Sequence, residues 1–473
     1  MKKHLFINGK WLEATHYTSL LAPYDQEEIA QVASANEAEV DLALEAAYKA
    51  RKVMAKMPSH KRASILEKVA SLLDERANEA AELIAIEAAK PIMIALGEVQ
   101  RTVQTYKFAA EEAKRIQGET LQLDAAPGGE GRVAYTVQEA IGVIGAITPF
   151  NFPMNLVAHK VGPAIAAGNT VVLKPANQTP LSAFFIAELF HEAGLPSGAL
   201  NVVTGSGSLI GEKIVKDERV SKISFTGSPA VGIGIRNKAG LKRVTLELGS
   251  NAAVIIDRGV DIDKIISRCV TGAFSFQGQV CISLQRIYVV EEMYQSFVER
   301  FIEQTKQLKI GNPLEATTEI SALISPKDVD RTLNWIKEAE SHGAEIAAGG
   351  TTIENVLLPT ILLNVESSQK VSCQEVFAPI VLINKVKDVN EAIEAVNDSN
   401  YGLQAGIYTD NIHTALDAAE NLHVGGVLIN DIPTFRVDHM PYGGVKESGV
   451  GREGVKYAIE EMTEKKLVIF NRN

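Results

Sequence analysis

Short apolar runs alternate with amphipathic segments between residues 140 and 248. The apolar runs lie at 141–147, 170–173, 200–203, 222–225 and 244–248, and the amphipathic segments lie at 156–167, 181–193, 208–215 and 230–239. Strands that alternate with helices predict βαβ units, and therefore a parallel sheet with helices on both faces. Such sheets bind ligands at the carboxyl ends of their strands. Functional residues are therefore expected in the loops that follow the apolar runs.

The remaining segments have other patterns. Residues 1–35 predict short strands, residues 36–117 repeat apolar side chains at helical spacing, and residues 250–450 return to the α/β alternation. Extended runs on either side of a Pro-Gly-Gly turn predict a protruding hairpin at 121–137. The apolar run 466–470 predicts a terminal strand without a partner nearby in sequence. Such an unpaired strand suits a crossing to another subunit.

Composition narrows the class of protein. A chain of 473 residues needs two or three domains. The net charge of −11 disfavours a nucleic acid or an anionic membrane as a partner. The sequence contains neither an apolar run near the roughly 20 residues of a membrane span nor the apolar core of a signal peptide at its start. We therefore expect a cytoplasmic protein that binds neither nucleic acid nor membrane.

The three cysteines are Cys269, Cys281 and Cys373. Their odd number and wide spacing suggest neither a disulfide framework nor a zinc site, so no metal is expected. Cys269 lies on the apolar face of a helical segment and suits core packing. Cys281 lies in a short loop between a helical run, 262–276, and an apolar run, 286–290. On that loop the thiol can be either a rigidly held nucleophile or a buried, inert side chain.

Six short motifs occur along the chain, and four of them directly follow predicted strands. They are TPFNFP at 148–153, LKPA at 173–176, FTGS at 225–228, LELG at 246–249, GQVC at 278–281 and EVFAP at 375–379. In this order they resemble the aldehyde dehydrogenase superfamily, and the resemblance covers essentially the whole chain. The segments most similar to the branch of non-phosphorylating glyceraldehyde-3-phosphate and lactaldehyde dehydrogenases are EVQRT at 98–102, YGLQA at 401–405 and GVKY at 454–457.

The resemblance implies an α/β fold in three parts. Residues 1–119 and 139–246 would form a Rossmann-type dinucleotide-binding domain around a parallel sheet, and residues 247–462 an α/β catalytic domain. Residues 120–138 and 463–473 would form a small β oligomerisation element. A homodimer or homotetramer is therefore expected.

The resemblance also implies oxidation of an aldehyde through a cysteine. A thiolate at Cys281 would attack the carbonyl and form a thiohemiacetal, and the Asn151 amide would donate a hydrogen bond to the oxyanion. Hydride transfer would leave a thioester, and Glu247 would activate the water that hydrolyses it. Lys160 would help in proton relay or in tuning the thiolate. Relatives that pass the acyl group to coenzyme A lack this glutamate, so we expect release of the free carboxylic acid.

A nicotinamide dinucleotide is the cofactor that the resemblance implies. Lys174 would reach the adenosine ribose, and Glu375 would hold the nicotinamide ribose. A Gly-rich loop and the start of the following helix would bind the adenine and the pyrophosphate. The expected contacts in these two places are Gly207, Gly211, Gly227 and Ser228, and the remaining ones are Thr148, Phe150, Asn177, Leu248 and Phe377.

Asn177 bears on the choice between NAD and NADP. Strict NAD enzymes of this family commonly have a glutamate three residues after the lysine, where it repels a 2′-phosphate. Asn177 is neutral, so that repulsion is absent. We therefore expect NAD as the cofactor, with NADP tolerated.

Two arginines carry the expectation for the substrate. The resemblance implies that the substrate contacts are Arg101, His159, Ile282 and Arg436. Arginines bind carboxylates, sulfonates and phosphonates in a bidentate manner. The glyceraldehyde-3-phosphate enzymes have a further arginine directly before the cysteine, where this chain has Val280, which argues against a fully phosphate-selective site. We expect a small, polar, hydroxylated or anionic aldehyde of the lactaldehyde, glyceraldehyde-3-phosphate, semialdehyde or sulfonated or phosphonated class.

Three alternatives stay open at the level of the sequence. Arg101 and Arg436 could instead form structural ion pairs on a helix surface or at an interface. A non-catalytic structural or scaffold protein could use the same fold. Esterase activity through Cys281 is a third possibility, and it would need no cofactor.

Overall fold

The first of two large sheets is the one predicted from residues 140–248. The computed structural model describes residues 2–472 and gives this sheet eight strands, of which five neighbouring ones are parallel. In spatial order the parallel strands are Arg243–Glu247, Val220–Thr226, Val143–Ile147, Thr170–Lys174 and Leu200–Val202. Antiparallel strands complete its two edges, and they are Gly449–Val450 on one side and Leu5–Ile7 and Lys10–Leu12 on the other. The predicted parallel sheet is confirmed.

Helices pack on both faces of this sheet. Within one strand, Val171 and Leu173 belong to one core and Val172 to the core on the opposite face. Burial on both faces explains why consecutive residues at the centre of this strand, Val171–Leu173, are all apolar. The helices that connect the strands are Asn155–Ala166, Pro180–Glu192, Gly207–Lys216 and Pro229–Lys238. The four N-terminal helices are Glu37–Lys56, Ser59–Glu75, Ala77–Ala88 and Ile92–Ala113.

The second large sheet has seven strands. In spatial order they are Glu345–Ala348, Thr360–Leu363, Ile380–Val386, Arg286–Val290, Ala253–Ile256, Gln404–Tyr408 and Gly426–Ile429. All neighbours are parallel except the first pair. The helices of this part of the chain are Ile262–Phe274, Glu291–Thr305, Pro326–Ser341, Lys370–Cys373, Val389–Asn397, Ile412–Asn421 and Val455–Glu461. Cys269 is fully buried in its core, as predicted.

The terminal strand is paired within the chain. Thr463–Asn471 runs antiparallel to Arg132–Ala140 over its whole length, and Thr120–Leu121 lies on the other side of Arg132–Ala140. A short 3₁₀ helix, Leu123–Ala125, forms part of the hairpin loop. The predicted hairpin is therefore present, but the expectation of an unpaired terminal strand is wrong, because the hairpin itself supplies the partner.

Smaller pairings complete the fold. The strands of a three-stranded sheet near the N-terminus are Lys2–Lys3, Glu28–Ser34 and His16–Leu21. The two-stranded pairs are Thr352–Ile353 with Val356–Leu357 and Tyr401–Gly402 with Val445–Lys446. Within residues 2–472, the helices are too short or too polar to cross a membrane.

Candidate active site

A cavity of about 290 Å³ opens beside Cys281. Its wall is mainly apolar, and the apolar side chains are Ile94, Phe152, Leu156, Val280 and Ile282. Its polar side chains include Arg101, Arg436 and Tyr442. This volume lies near the lower limit of small-molecule pockets, so the cavity suits a short substrate.

A left-handed turn precedes Cys281. Phe276, Gln277 and Gly278 have φ angles of 49°, 55° and 69°. A Cβ atom at residue 278 would lie 2.2 Å from the carbonyl oxygen of Ala378, so the close approach of these two segments requires glycine. The turn leads to Cys281, which is half-buried and lines the cavity.

Gln277 fixes this turn from the inside. Its side chain is fully buried, and its amide donates hydrogen bonds to the carbonyl oxygens of Ala89 and Ala322 at 3.0 and 2.9 Å. The backbone before Cys281 is therefore tied to two segments that lie far away in the sequence.

The Cys281 thiol has a phenol beside its sulfur. The Sγ atom lies 2.9 Å from the Tyr442 hydroxyl, and the Arg436 guanidinium lies 3.6 Å from the centroid of the Tyr442 ring. Burial raises the pKa of Cys281 to about 11, while the Tyr442 contact and the Arg436 charge oppose that rise. Burial also raises the pKa of Tyr442 well above its ordinary value, so this phenol is neutral at physiological pH.

Asn151 lies in the loop after strand Val143–Ile147. Its side chain is buried, and its Nδ2 donates to the carbonyl oxygen of Gln279 at 3.1 Å. The backbone carbonyl oxygen of Asn151 accepts a hydrogen bond from the Lys90 ammonium at 2.6 Å. Since a side-chain amide carries two N–H groups, Asn151 keeps a second one that this hydrogen bond does not use.

A fully buried ion pair supports the Asn151 loop. The Lys90 ammonium contacts one oxygen of Glu98. The other oxygen of Glu98 accepts the backbone N–H groups of Met154 and Asn155 at 2.9 and 3.2 Å. The sequence motifs did not single out Lys90 or Glu98, although Glu98 begins the segment EVQRT.

Glu247 is the last residue of strand Arg243–Glu247, and its side chain is buried. Neither of its carboxyl oxygens has a hydrogen-bond partner among residues 2–472. Burial raises the pKa of Glu247 well above its ordinary value, and the charge of Glu453 raises it further. This carboxyl can therefore bind and release a proton without breaking an internal hydrogen bond.

Lys160 lies in an ionised cluster beside Glu247. Its ammonium is 2.8 Å from Glu453 and 2.7 Å from the Thr226 hydroxyl. Arg436 is a second cation on Glu453, at 3.0 Å. Burial opposes the ionisation of Glu453, but the charges of Lys160 and Arg436 outweigh it and hold the pKa well below its usual range. Glu453 thus supplies a negative charge beside the unpartnered Glu247, and Lys160, Arg436 and Arg452 supply positive ones.

Both predicted substrate arginines are held by carboxylates. The Nε and Nη2 atoms of Arg101 lie 3.2 and 2.7 Å from Asp438. Both arginines therefore form ion pairs, but these lie beside the cavity and not on a helix surface, and both arginines line the cavity. His159 lies behind Arg436, with its Nε2 at 2.8 Å from Asp438 and 3.3 Å from the Arg436 Nη2. The expected direct contact of His159 with substrate becomes an indirect one, because the side chain is buried behind the wall.

The predicted adenosine-binding residues lie together after two strands of the first sheet. The Lys174 ammonium is 2.9 Å from the Asn177 Oδ1, and burial lowers the pKa of Lys174 to about 8. A Cβ atom at Gly207, the first residue of helix Gly207–Lys216, would lie 4.0 Å from the Lys174 Nζ. Gly211 lies one turn further along the same helix.

The next helix, Pro229–Lys238, directly follows Gly227 and Ser228. At a helix N-terminus the unpaired N–H groups and the helix dipole favour an anion, as the predicted pyrophosphate contact requires. Leu248 packs against this helix, because a Cβ atom at Gly232 would lie 2.5 Å from the Leu248 side chain.

Glu375, predicted to hold the nicotinamide ribose, and the predicted cofactor contacts Thr148, Phe150 and Phe377 come from two separate parts of the chain. Glu375 accepts the backbone N–H of Ser250 at 2.9 Å, and burial raises its pKa to about 7. The rings of Phe150 and Phe377 meet edge to face at 5.7 Å. The buried Thr148 hydroxyl has no hydrogen-bond partner within the described residues. A buried hydroxyl without a partner, two helix N-termini and a lysine beside the first of them fit a dinucleotide.

Comparison with known proteins places the chain in a family. The aldehyde dehydrogenase family model matches residues 11–468. The chain belongs to the aldehyde dehydrogenase family. This aldehyde dehydrogenase is 47% identical over 467 residues to the 3-sulfolactaldehyde dehydrogenase of Priestia aryabhattai, and the match covers 99% of this chain and 98% of the relative.

Two solved structures share the fold of this aldehyde dehydrogenase. Aldehyde dehydrogenase 21 from Physcomitrella patens, in complex with the reaction product succinate, is 39% identical, has a TM-score of 0.97 and covers 100% of this chain and 98% of its own. The NADP-dependent glyceraldehyde-3-phosphate dehydrogenase of Bacillus halodurans C-125, complexed with NADP, is 37% identical with a TM-score of 0.97 and complete coverage of both chains. The predicted fold and enzyme class are confirmed, and nothing in these relatives favours a scaffold protein.

Proposed function

We propose that this aldehyde dehydrogenase oxidises a short aldehyde with a single negative charge, a sulfonate or a carboxylate, to the free acid. The observation that carries the proposal is the small cavity that brings Arg101 and Arg436 close to Cys281. The names of the relatives support it, since they refer to a sulfonated aldehyde, a phosphorylated aldehyde and a dicarboxylate product.

The charges around the cavity favour a monoanion over a dianionic phosphate. Three cations, Arg101, Lys160 and Arg436, are balanced by two carboxylates, Asp438 and Glu453. These five groups together leave one positive charge for a ligand. The lining side chain at 280 is valine, so the wall next to Cys281 adds no cation. The buried Nε of Arg436 also lacks a hydrogen-bond partner within residues 2–472, which leaves a donor for the anion.

Cys281 is the nucleophile in this proposal. Its sulfur forms a bond to the aldehyde carbon while the carbonyl oxygen becomes an oxyanion, and the product is a thiohemiacetal. The free N–H of Asn151 and the backbone N–H of Cys281 donate to that oxygen. Loss of one such donor typically costs about 100–1,000-fold in rate. The nicotinamide cofactor, when bound, supplies the acceptor for the hydride.

Glu247 is the general base for the second half of the reaction. It takes a proton from the water that attacks the thioester, and the free acid and the Cys281 thiol are released. Lys160 and Glu453 hold fixed charges beside it and so set the protonation of Glu247.

NAD is the proposed cofactor, with NADP accepted. Lys174 and Asn177 would contact the adenosine ribose, and Glu375 would hold the nicotinamide ribose. Asn177 is exposed and neutral. A small cleft beside it is lined by hydroxyl groups, and their residues are Thr18, Ser19, Ser34, Thr204 and Ser206. A 2′-phosphate at this position would meet Lys174 and no carboxylate from Asn177, which supports tolerance of NADP.

We further propose the three-part organisation expected from the sequence. Residues 1–119 and 139–246 bind the cofactor, residues 247–462 carry out catalysis, and residues 120–138 with 463–473 form the oligomer contacts. Half-exposed apolar side chains along the terminal strand, Leu467, Ile469 and Phe470, support a homodimer or homotetramer. The three free cysteines support a reducing compartment, and we propose the cytoplasm.

The test uses absorbance at 340 nm with a panel of aldehydes, with NAD and with NADP. The panel contains 3-sulfolactaldehyde, succinic semialdehyde and glyceraldehyde-3-phosphate, and lactaldehyde and a neutral aldehyde of similar length. Arg101→Met removes one of the cations but leaves the Arg436–Tyr442 stack intact. We expect its KM for anionic aldehydes to rise about 10- to 100-fold, since a hydrogen bond to a charged group contributes about 1.5–3 kcal/mol.

The matched control is Arg268→Met, which removes an arginine from a surface ion pair with Asp431. Its KM values should equal those of the unmodified enzyme. Equal increases in KM for anionic and neutral aldehydes in Arg101→Met would show that the arginine does not bind the anion.

A further inference from the structure

Tyr442 contacts the reacting atom of the proposed nucleophile. Its hydroxyl is 2.9 Å from the Cys281 Sγ, its side chain is buried, and both residues line the cavity. We propose that Tyr442 is a catalytic residue that activates Cys281 by donating its phenolic hydrogen to the thiolate. The inference rests on Cys281 as the nucleophile.

The chemistry of the two groups fixes the direction of this hydrogen bond. A phenol is a stronger donor than a thiol, and a hydrogen bond to an ionised acceptor is about twice as strong as one between neutral groups. The buried Tyr442 keeps its proton at physiological pH. When the Cys281 thiol ionises, its proton leaves to solvent, and Tyr442 retains its own proton and shares it with the sulfur.

The nearby carboxylates and the nearby histidine do not stabilise a thiolate at Cys281. Glu247 and Glu375 both disfavour a thiolate through their negative charge, and burial disfavours it further. Tyr442 and Arg436 are the groups that favour it. A histidine paired with the cysteine would be the usual activator in other cysteine enzymes, but the nearby His159 lies behind Arg436 and bonds to Asp438.

Arg436 strengthens the donor. Its guanidinium lies over the Tyr442 ring, where it withdraws electron density from the phenol and makes the O–H more acidic. Glu453 holds the guanidinium in that position at 3.0 Å. Arg436 thus has two functions, one towards the substrate anion and one towards the thiolate through the tyrosine ring.

The effect on rate follows from two opposing changes. A hydrogen bond that lowers the thiol pKa by one unit raises the thiolate population about tenfold at neutral pH. It also lowers the nucleophilicity of each thiolate by about threefold, since the Brønsted coefficient is about 0.4–0.5. The population change is the larger one. Each unit by which the Tyr442 hydroxyl lowers the pKa of Cys281 therefore accelerates the reaction of this thiol about threefold at neutral pH.

The test measures alkylation of Cys281 by iodoacetamide as a function of pH, in the full-length protein without cofactor or aldehyde. A Cys373→Ser background removes the exposed cysteine, and Cys269 is fully buried. Tyr442→Phe removes only the hydroxyl and keeps the ring under Arg436. We expect the midpoint of the alkylation profile to rise by about one to two pH units, and the rate at neutral pH to fall about threefold to tenfold.

A second variant tests the same position in the opposite direction. Incorporation of 3-fluorotyrosine at residue 442 gives a more acidic hydroxyl, and the midpoint should then move to lower pH. The matched control, Tyr294→Phe, removes a hydroxyl from a tyrosine of the second sheet's helices and should leave the profile unchanged. Thermal unfolding midpoints verify that each variant is folded.

The proposal is overturned if either shift is absent or reversed in a folded variant. Because neither cofactor nor aldehyde is present in the assay, the result is independent of the proposed substrate. Loss of dehydrogenase activity together with an unchanged alkylation profile would assign Tyr442 to packing and would leave Cys281 as the nucleophile.

Discussion

Two buried carboxyl groups of the site, Glu98 and Glu247, have opposite surroundings. Glu98 has a partner for each oxygen, since Lys90 contacts one and two backbone N–H groups bind the other. Glu247 has no hydrogen-bond partner for either oxygen within residues 2–472. Both side chains are almost completely inaccessible to solvent, so burial alone does not distinguish them.

The difference reflects what each group does in the proposed reaction. Glu98 supports the backbone that carries Asn151, and a group that positions others must itself be fully bonded. A base has to change its protonation state in each cycle, and every internal hydrogen bond would favour one state over the other. The site therefore has a paired side, the Lys90–Glu98 ion pair, which is fixed by its hydrogen bonds. It also has an unpaired side, Glu247, whose carboxyl is free for proton transfer.

The largest expected effect comes from the unpaired side. Glu247→Gln keeps the shape of the side chain and removes the base. We expect steady-state turnover to fall about 100- to 10,000-fold, while a burst of reduced cofactor of one equivalent per active site remains, because the first half of the reaction does not use this carboxyl. Rapid mixing followed at 340 nm measures both quantities.

Glu303→Gln, on an exposed helical face, is the control for the loss of a carboxylate and should retain full turnover. Loss of the burst along with turnover in Glu247→Gln would place Glu247 in the first half of the reaction and would contradict the assigned role.

The paired side should respond with a loss of stability as well as of rate. Lys90→Met leaves Glu98 as an unpaired buried charge, which typically costs about 3–5 kcal/mol, and it removes the hydrogen bond to the Asn151 carbonyl. We expect a lower thermal unfolding midpoint and a decrease in kcat that exceeds any increase in KM. Calorimetry and steady-state kinetics measure these changes.

The double variant Lys90→Met with Glu98→Gln separates the two effects. Without the unpaired charge it should recover part of the lost stability, but its kcat should stay low because the support of Asn151 is still missing. If kcat recovers in parallel with the unfolding midpoint, the ion pair contributes to folding alone.

The smallest expected effect is a shift in pH dependence. Glu247 acts only when ionised, and its raised pKa means that turnover is lost as pH falls through a value above that of an ordinary glutamate. Glu453→Gln removes the negative neighbour that raises this pKa, so the acidic limb of the kcat profile should move to lower pH by up to about one unit. A limb that stays in place or moves to higher pH would show that Glu453 does not act on the base.

The main elements of the fold can be predicted from the sequence for a simple reason. Strands buried on both faces have consecutive apolar residues, and the run Val171–Leu173 in strand Thr170–Lys174 can therefore be recognised from composition alone. The pairing of Thr463–Asn471 with Arg132–Ala140 joins distant segments. No local pattern specifies such a partner, which is why the terminal strand looks unpaired in the sequence.

In the site, too, contacts between residues that are distant in sequence could not be predicted. Motifs identify Asn151, Glu247 and Cys281 because each belongs to a short segment that resembles the family, but Tyr442 reaches Cys281 only through tertiary packing. Lys90 gives no signal either, since lysine is rarely buried without a partner and its partner is found only in the structure. His159 lies on a helix in which every residue is buried, so periodicity does not indicate which side faces the cavity.

The left-handed turn at 276–278 has a consequence for how the substrate range of this protein can change. Gln277 and Gly278 are committed to the backbone, one through its hydrogen bonds to Ala89 and Ala322 and the other through its close approach to a neighbouring segment. Val280 and Ile282 flank the nucleophile and line the cavity without sharing these constraints. Mutation can therefore alter the pocket at 280 and 282 while the sulfur keeps its position, so that selectivity and chemistry are able to evolve separately within one loop.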